Sequence, residues 1–309
     1  MIKNEHGEPV VSLFKYLNIS GAQKTLATNA IRLTRPLEFN DPFDINLEEL
    51  FGSDHAEFHQ GLLEAHCDFV CGEIDYAKLP DNAMKAKMIA INQALRRASQ
   101  EQRAAFKAEL LQTPVGELYD TASLEELRSN TLEQVRQMLR FYGVFCATKR
   151  HDDLLMWAHY ANKHTGVVFE FYPDVENDSM FLAAKAVAYS KDRPLMYRTP
   201  ADMIRRAYTM SPGESGMTML NNIVFTKSTA WEYEQEVRLA IPDLVKEGET
   251  FATLKFARHE LRSIYFGCRI SQADKDKVAT LGRGLNSKVK LFQAATSKRN
   301  YTLEYAELS

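Results

Sequence analysis

The sequence CATKRHDDLLMWAHYANKHTG, residues 146–166, decides the fold of the surrounding chain. It opens as a short apolar strand, passes through a charged turn and continues as a helix. It then reaches Gly166, which ends the helix or opens a second strand. Two further segments, residues 13–44 and 231–238, are predicted to converge on this stretch. Together the three segments predict one functional site.

The chain from residue 142 onward is rich in predicted strands. Apolar patterning predicts strands near 143–148, 166–172, 185–189, 235–241, 251–256, 262–267, 288–293 and 301–306, and helices near 152–163, 200–210, 216–226 and 272–285. Because strands and helices follow in an uneven order, the pattern favours an α+β fold over alternating βαβ units.

The N-terminal part is predicted to form a strand, a helix, a second strand and a constrained loop. Residues 10–16 are largely β-branched and aromatic, and Ser20 can cap a helix at 21–29. Residues 31–34 alternate apolar and polar side chains, as a half-buried strand does. The loop at 35–44 contains two prolines and an Asn-Asp pair, which prevents regular strand pairing and favours side-chain-to-backbone turns.

A helical insertion separates these two parts. Apolar residues recur at helical spacing, which predicts helices near 54–72, 82–111 and 123–141. Ser123 and Glu126 have the spacing of a capping box at the start of the last helix. The predicted division is therefore 1–52 and 143–309 for the α+β core, with 53–142 as the insertion.

Composition limits the functional classes. The chain has 309 residues, 45% hydrophobic and 26% charged, with a formal net charge of −3. This balance provides no global field that attracts nucleic acid or an anionic membrane. No apolar run approaches the ~20 residues of a spanning helix. The polar N-terminus and four scattered cysteines favour a cytoplasmic protein without a disulfide framework.

The segment 231–238 carries a possible carboxylate pair. Strand parity places Glu234, Glu236 and Arg238 on one face, opposite Tyr233 and Val237. One interpretation is a wet sheet face on which Glu and Arg pair. The other is a carboxylate pair lining a cleft, in which mutual repulsion separates the two pKa values and lets the residues take different roles.

The helix near 152–163 carries three candidate residues. His159 lies among apolar neighbours, where a histidine is more often a hydrogen-bonded core residue than a catalyst. Trp157 and Tyr160 share a helix face and form either core or a platform for a ligand ring. Cys146 lies in an apolar strand and is predicted to be buried, not nucleophilic.

A histidine cluster was weighed as a metal site. His55, His59 and His66 fall on one side of a predicted helix, but no second ligand pair with zinc spacing follows. No metal is expected.

Four ordered motifs carry a family resemblance. They are LFKY at 13–16, FNDPFD at 39–44, MWAHYA at 156–161 with His164 and Gly166, and WEYEQEVR at 231–238. In this order they resemble the bacterial family called domain of unknown function 2971. The resemblance covers nearly the whole chain and implies little about function. Family members commonly have Cys-Phe-Ser where this chain has Cys146, Ala147 and Thr148.

A second resemblance is to the ADP-ribosyltransferase fold. It implies a split, mixed or antiparallel sheet and NAD as substrate. By this resemblance Glu236 is the catalytic carboxylate, Glu234 positions the acceptor, and Tyr160 or Trp157 stacks on nicotinamide. The full set of cofactor-binding residues predicted is Lys15, Tyr16, Asn40, Asp41, Thr148, Trp157, Tyr160 and Arg238.

Three functional hypotheses follow. The first is an NAD-using ADP-ribosyltransferase-like enzyme, a toxin or antiphage-defence effector, with a protein or nucleic-acid acceptor and no membrane partner. The second is a metal-independent RNase-like toxin, with His159 and Glu236 as acid and base. Its phosphate-binding residues would be Lys15, Lys149, Arg150 and Arg238. The third is a non-catalytic nucleotide sensor or interaction module that uses the same cleft.

Overall fold

The chain divides into two compact units. The computed structural model describes residues 6–7, 9–45, 47, 55–72, 77, 83–112, 121–195, 197, 199–203 and 212–309. The first unit comprises Met1–Ile45, Met138–Asp192 and Phe225–Ser309, and the second comprises Asn46–Gln137 and Arg193–Val224. The three-part division drawn from the sequence stays a prediction. It assigned residues 193–224 to the core, whereas these residues group with the second unit.

The first unit is built on a ten-stranded sheet. The strands of the chain are β1 (Leu13–Leu17), β2 (Ala30–Thr34), β3 (Gly143–Thr148), β4 (Val167–Phe171), β5 (Lys185–Ala186), β6 (Ala188–Ser190), β7 (Thr226–Ser228), β8 (Glu236–Ile241), β9 (Phe251–Lys255), β10 (Leu261–Phe266), β11 (Lys290–Thr296) and β12 (Leu303–Leu308). The sheet order is β12-β11-β10-β4-β1-β3-β2-β9, with β8 paired to β3 and β5. Strands β6 and β7 form a separate parallel pair.

The helices complete the α+β fold. They are α1 (Ile19–Thr28), α2 (His55–Cys71), α3 (Ala83–Arg97), α4 (Gln100–Gln112), α5 (Thr121–Phe141), α6 (Leu154–Tyr160), α7 (Pro212–Val224) and α8 (Gln272–Leu285). In the ten-stranded sheet only β10 and β11 run parallel, and the other pairs are antiparallel. The predicted α+β class with a mixed, largely antiparallel sheet is confirmed.

Both faces of the sheet are covered at β1 and β4, whose apolar residues belong to two different core clusters. On one face Leu13 and Phe171 belong to a core that includes Leu26 of α1 and residues of α8. On the opposite face Phe14 packs with Trp157 of α6. Helix α6 therefore lies against the end of β1.

Strands β1 and β2 both pair with the same edge of β3, and the sheet opens between them. Strand β3 pairs with β1 through Phe14 and Thr148, and with β2 through Thr34 and Val144. Between these two points the Lys15 ammonium donates a hydrogen bond to the backbone carbonyl of Cys146. A charged side chain thus occupies the opening of the sheet.

The helix starts follow side-chain capping. Helix α1 begins after Asn18, whose side chain accepts a hydrogen bond from the Gly21 N–H at 2.8 Å, so the expected Ser20 cap was wrong. Helix α6 begins after Asp153, which accepts from the N–H groups of Leu155 and Met156 at 2.9 and 3.0 Å. These caps fix the helices on either side of β1.

A left-handed turn follows α6. Asn162, Lys163 and His164 have φ values of 47°, 56° and 67°. The turn ends at Gly166, where an added Cβ would lie 2.2 Å from the Leu17 carbonyl oxygen. Glycine is therefore required by the close approach of the neighbouring strand.

The second unit contains the helices α2, α3, α4 and α7. The single helix expected at 82–111 is two helices, because Ser99 caps α4 through reciprocal hydrogen bonds with Gln102 at 2.8 and 3.2 Å. Ser123 lies inside α5, which begins at Thr121, so the expected capping box at Ser123 was wrong. Of the helix expected at 200–210, residues 204–210 lie outside the described part.

Within the described ranges, no helix combines the length and apolar character needed to cross a membrane.

Candidate functional site

A cavity of about 100 Å³ lies where the three segments named from the sequence meet. Its wall contains aromatic rings, two lysines and three carboxylates. The lining residues are Phe14, Lys15, Tyr16, Phe39, Asn40, Asp44, Cys146, Ala147, Met156, Tyr160, Lys227, Glu234 and Glu236. All of them belong to the first unit.

The two glutamates reach the cavity through a kinked backbone. Glu234 ends the 3-10 turn Thr229–Glu234, and Gln235 is left-handed with φ 46° and ψ 48°. Strand β8 starts only at Glu236. Extending strand parity back to residue 233 was therefore wrong, although both carboxylates bind the same ammonium group, that of Lys227.

Glu234 and Glu236 share this lysine. The Lys227 Nζ lies 2.7 Å from Glu234 Oε2 and 3.0 Å from Glu236 Oε2. Arg238 binds Glu236 from the other side, with Nε 2.8 Å from Oε1 and Nη2 3.1 Å from Oε2. Glu234 and Glu236 are only 3% and 5% exposed. The carboxylates are thus held in place by buried cations.

Asp44 joins the same network with one oxygen. Its Oδ2 lies 2.6 Å from Arg238 Nη2 and 4.0 Å from Lys227 Nζ. Its Oδ1 is buried and has no hydrogen-bond partner among the residues that the structure describes. A buried acceptor without a donor is energetically unfavourable. This oxygen is therefore an open position for a ligand that donates a hydrogen bond.

The cluster of Asp44, Glu234, Glu236, Lys227 and Arg238 combines three carboxylates with two cations, and Lys15 in the same cavity wall adds a third cation. Desolvating five charges is expensive, and a well-packed apolar cluster often gives equal or greater stability. A buried ionic cluster that lines a cavity is therefore a candidate for function.

The ionisation states follow from the neighbours. Burial alone raises the pKa of Glu236, but Arg238 and Lys227 outweigh it and lower that pKa to about 2. Burial also opposes the charge of Lys227, yet Glu236 and Glu234 raise its pKa above the ordinary value. Burial raises the pKa of Asp44 despite the nearby Arg238. At neutral pH Glu236 is a permanent anion and Lys227 a permanent cation.

Tyr160 connects α6 to the carboxylates. Its hydroxyl donates to Glu234 Oε1 at 2.7 Å. Burial and the adjacent Glu234 raise the pKa of this phenol, so it remains a hydrogen-bond donor. Of the aromatic pair predicted on α6, Tyr160 lines the cavity.

Trp157 does not have the position expected of a ring-stacking platform. It is 0% exposed, packs edge-on against Tyr16 at 5.5 Å and donates its Nε1–H to the His151 carbonyl at 2.7 Å. Because it is enclosed, it offers no face to a ligand. The expectation that Trp157 stacks on nicotinamide was wrong, and the alternative core role fits.

The other predicted residues are dispersed around the site. His159 is exposed and does not line the cavity. Asn40 lines the cavity, while Asp41 accepts the Phe43 N–H at 2.9 Å and supports a turn. Thr148 is buried, and its hydroxyl donates to the Glu234 carbonyl. Its position fits support of the kink more than contact with a ligand.

The cavity is also lined by Lys15, Cys146 and Tyr16, and burial shifts the pKa of each. Burial lowers the pKa of Lys15, whose ammonium also lies 5.1 Å from the Phe145 ring centroid. Burial, and then Glu236, raise the pKa of the Cys146 thiol, which agrees with the expectation that this residue is not a nucleophile. Burial also raises the pKa of Tyr16.

The sequence interpretation gave no role to Asp44 and Lys227. Both were within quoted segments, but each looked like an ordinary turn or strand-end residue. A usable signal was the excess of acid in WEYEQE, since buried glutamates require a cation nearby.

The side chains of His55 and His59, considered as metal ligands from the sequence, lie outside the described part of the structure. No group of three His, Cys, Asp or Glu residues suited to a metal occurs in the portion of the chain described by the structure.

A second cavity of about 580 Å³ adjoins the first. It lies at the opening of the sheet and shares Lys15, Tyr16 and Tyr160 with the smaller one. Lys24 and Arg32 contribute further positive charge to its wall, and no acidic residue is among its lining residues.

Residues 156–239 match the model of the family described as "Protein of unknown function (DUF2971)", which supports the resemblance to that family predicted from the sequence. No curated protein and no solved structure matches the chain significantly. The similarity to the ADP-ribosyltransferase fold stays a prediction.

Proposed function

We propose that this chain, with its DUF2971 segment at 156–239, is an NAD-using enzyme of the ADP-ribosyltransferase or NAD glycohydrolase type. The observation that carries the proposal is Glu236, a buried carboxylate in a cavity wall whose pKa is lowered to about 2. A general acid or base works best with a pKa near the working pH. A carboxylate that never protonates is suited to stabilising positive charge.

The proposed reaction breaks the bond between C1′ of the ribose and the nicotinamide nitrogen. The bonding electron pair leaves with the nitrogen, so the pyridinium becomes neutral nicotinamide and C1′ becomes an oxocarbenium-like cation. Glu236 stabilises that cation electrostatically. A nucleophile then bonds to C1′ and loses its proton. The nucleophile is water in hydrolysis and a macromolecular group in transfer, and Glu234 with Tyr160 positions it.

The smaller cavity fits one ring of the substrate. Ligand pockets usually measure roughly 300–1,000 Å³, so about 100 Å³ accommodates a nicotinamide-sized group and not a dinucleotide. The carboxylates of Glu234 and Glu236 in the cavity wall would attract a cationic ring. Asp44 Oδ1 is the acceptor that a carboxamide N–H would satisfy.

The larger cavity suits the remainder of the dinucleotide. Its volume of about 580 Å³ lies in the usual ligand range. Lys15, Lys24 and Arg32 supply charge for two phosphates. Because Lys15 lines both cavities, it would contact the substrate near the junction of its two halves.

The biological role proposed is that of a bacterial toxin or antiphage-defence effector acting on cytoplasmic NAD. Expression of the active protein should slow growth and lower cellular NAD, whereas a folded Glu236→Gln variant should do neither. Unchanged NAD in growth-arrested cells would contradict this role.

The deciding experiment is incubation of the purified full chain with NAD, followed by mass detection of nicotinamide. Glu236→Gln should lower release by roughly 100-fold or more, as expected for loss of transition-state electrostatics. Glu307→Gln, an exposed glutamate paired with Lys290, is the matched control and should retain full activity. Thermal melts establish that each variant is folded. Equal release by folded Glu236→Gln would exclude the proposed role of Glu236.

A second candidate is a nucleotide sensor without turnover. It is favoured by the pairing of both Glu236 oxygens with cations, because the negative charge of Glu236 is then already neutralised. Under this alternative NAD raises the melting temperature but no nicotinamide appears. The RNase alternative keeps Glu236 in the cavity but lacks His159 in its wall. It predicts RNA cleavage with neither NAD turnover nor an NAD-dependent shift.

A further inference from the structure

A third cavity lies at the connection between β11 and β12, and the proposed NAD reaction does not use it. Its volume is about 730 Å³, within the usual range of roughly 300–1,000 Å³ for ligand sites. The polar side chains in its wall are hydroxyls, amides, His164 and Arg269, together with the thiol of Cys268. None of its lining residues is acidic.

The loop above this cavity presents an aromatic ring to solvent. Tyr301 is 98% exposed, the highest exposure among the large hydrophobic side chains described. It follows Lys298 and Arg299, which are also exposed, and it lines the cavity. An aromatic ring with both faces open beside two cations is suited to stacking on a nucleobase.

The charge along this part of the chain is strongly asymmetric. Residues 277–303 contain no Asp or Glu. Their basic residues are Lys277, Arg283, Lys288, Lys290, Lys298 and Arg299. The chain as a whole is slightly acidic, so this stretch of sequence is locally basic, although Lys290 pairs with Glu307 at 3.5 Å.

The floor of the cavity is rigidly built. The left-handed turn places His164 face to face with Trp157, with ring centroids 6.1 Å apart and an interplanar angle of 7°. The Arg269 N–H donates to the His164 carbonyl at 3.0 Å. Within the described part of the chain, His164 Nδ1 is buried without a hydrogen-bond partner. Strained backbone and an unpaired polar atom at one cavity are features of binding sites.

We propose that this cavity and the loop at 297–302 bind single-stranded nucleic acid. One base stacks on Tyr301, and the adjoining phosphates contact Arg269, Lys298 and Arg299. Stacking on an aromatic ring combined with cations along the backbone is the usual chemistry of single-strand recognition. The inference concerns a site separate from the NAD cavity and does not depend on the proposed enzymatic activity.

The test is fluorescence anisotropy of the full chain with a labelled 12-nucleotide uridine RNA and its thymidine DNA counterpart. Tyr301→Ala should weaken binding by roughly 5- to 150-fold, the range for one lost base stack. Arg299→Ala should weaken binding and lower the slope of log affinity against log salt by about 1. Arg258→Ala removes an exposed arginine elsewhere and is the matched control.

Because Tyr301 and Arg299 are exposed, neither substitution should lower the melting temperature, and Glu236→Gln should bind RNA as the parent does. Absence of strand binding by the parent, or unchanged affinity in Tyr301→Ala, would overturn the proposal. Uridine monophosphate that competes as well as the oligonucleotide would show a free-nucleotide site and would overturn the assignment to a strand. Equal losses in Arg258→Ala and Arg299→Ala would show only general charge attraction.

Discussion

Arg238 binds both carboxylate oxygens of Glu236, which lies two positions earlier on β8. Nε lies 2.8 Å from Oε1 and Nη2 lies 3.1 Å from Oε2. The Arg238 side chain is 0% exposed. Fork-shaped pairing fixes the plane of the carboxylate as well as its charge. Glu236 is therefore oriented before any ligand arrives.

Arg238→Met should strongly destabilise the fold, because it leaves Lys227 as the remaining buried cation for Glu236, Asp44 and Glu234. Removing one partner of a buried ion pair costs about 3–5 kcal/mol. Urea unfolding measures the free-energy change. Arg258→Met, at an exposed position, should change stability by less than about 0.5 kcal/mol. A loss below about 1 kcal/mol in Arg238→Met would show that water or rearrangement compensates the cluster.

The free energy of unfolding should depend on pH through the titration of Glu236. Its pKa is lowered from 4.5 to about 2 in the folded chain, so its contribution is complete above about pH 4.5 and declines as pH falls through 2. That shift corresponds to roughly 3 kcal/mol. Burial raises the pKa of Asp44, so protonation of Asp44 has the opposite sign and offsets part of the loss.

The measurement is the free energy of unfolding from pH 2 to 6 for the parent and for Glu236→Gln, which cannot titrate at this position. The stability advantage of the parent should shrink as pH falls towards 2. A constant difference across this range would contradict the lowered pKa of Glu236.

Gly166→Ala should destabilise the chain by roughly 3 kcal/mol or more, as severe overpacking does. The new Cβ would meet two backbone carbonyls, Leu17 O at 2.2 Å and Ala161 O at 2.9 Å. Gly284→Ala in α8 is the control, because nothing lies within 4 Å of its added Cβ. It should stabilise the helix by roughly 0.5–1 kcal/mol. Similar effects at both positions would refute the close approach at Gly166.

Tyr160→Phe should lower both stability and nicotinamide release. It removes the 2.7 Å hydrogen bond to Glu234 Oε1, and a hydrogen bond to a charged group contributes about 1.5–3 kcal/mol. Loss of about 1.4 kcal/mol in the transition state would slow release tenfold. Tyr172→Phe, at a partly exposed position, controls for the loss of a hydroxyl. Reduced stability with normal release would limit Tyr160 to a structural role.

Cys146 should resist alkylation in the native protein at pH 8. Burial raises the pKa of its thiol, which keeps the reactive thiolate scarce. Peptide mass mapping after iodoacetamide treatment measures the modification, and urea-unfolded protein serves as the reactive control. Rapid native modification of Cys146 would contradict the raised pKa of its thiol.

The fold class was predictable from the sequence because strand and helix periods are local properties. Helix α8 was predicted with its observed bounds, since Ser271 and an amphipathic pattern mark its start and extent. The break between α3 and α4 was not predicted, because Ser99 sits inside a continuous run of good helix formers.

The candidate site was predictable only in part. Glu234, Glu236 and Tyr160 belong to recognisable motifs, and they line one cavity. Asp44 was not predicted because its ion pair with Arg238 joins residues 194 positions apart, which no local pattern encodes. Lys227 lies nine positions from Glu236, and the local excess of acid was the signal that could have indicated it. Trp157 was given a ligand role because sequence spacing defines a helix face but not which neighbour covers it.

The pairing of β2 with β3 and of β6 with β7 makes the helical unit a replaceable module. Thr34 pairs with Val144 on either side of the first excursion of the chain, and Ser190 pairs with Ser228 around the second. In both places, strand pairing within the first unit therefore connects the segment before the excursion to the segment after it. Lengthening, trimming or exchanging the helices leaves these strand pairs unbroken. The strand pairs that close the first unit around both excursions thus lie outside the helical segments themselves.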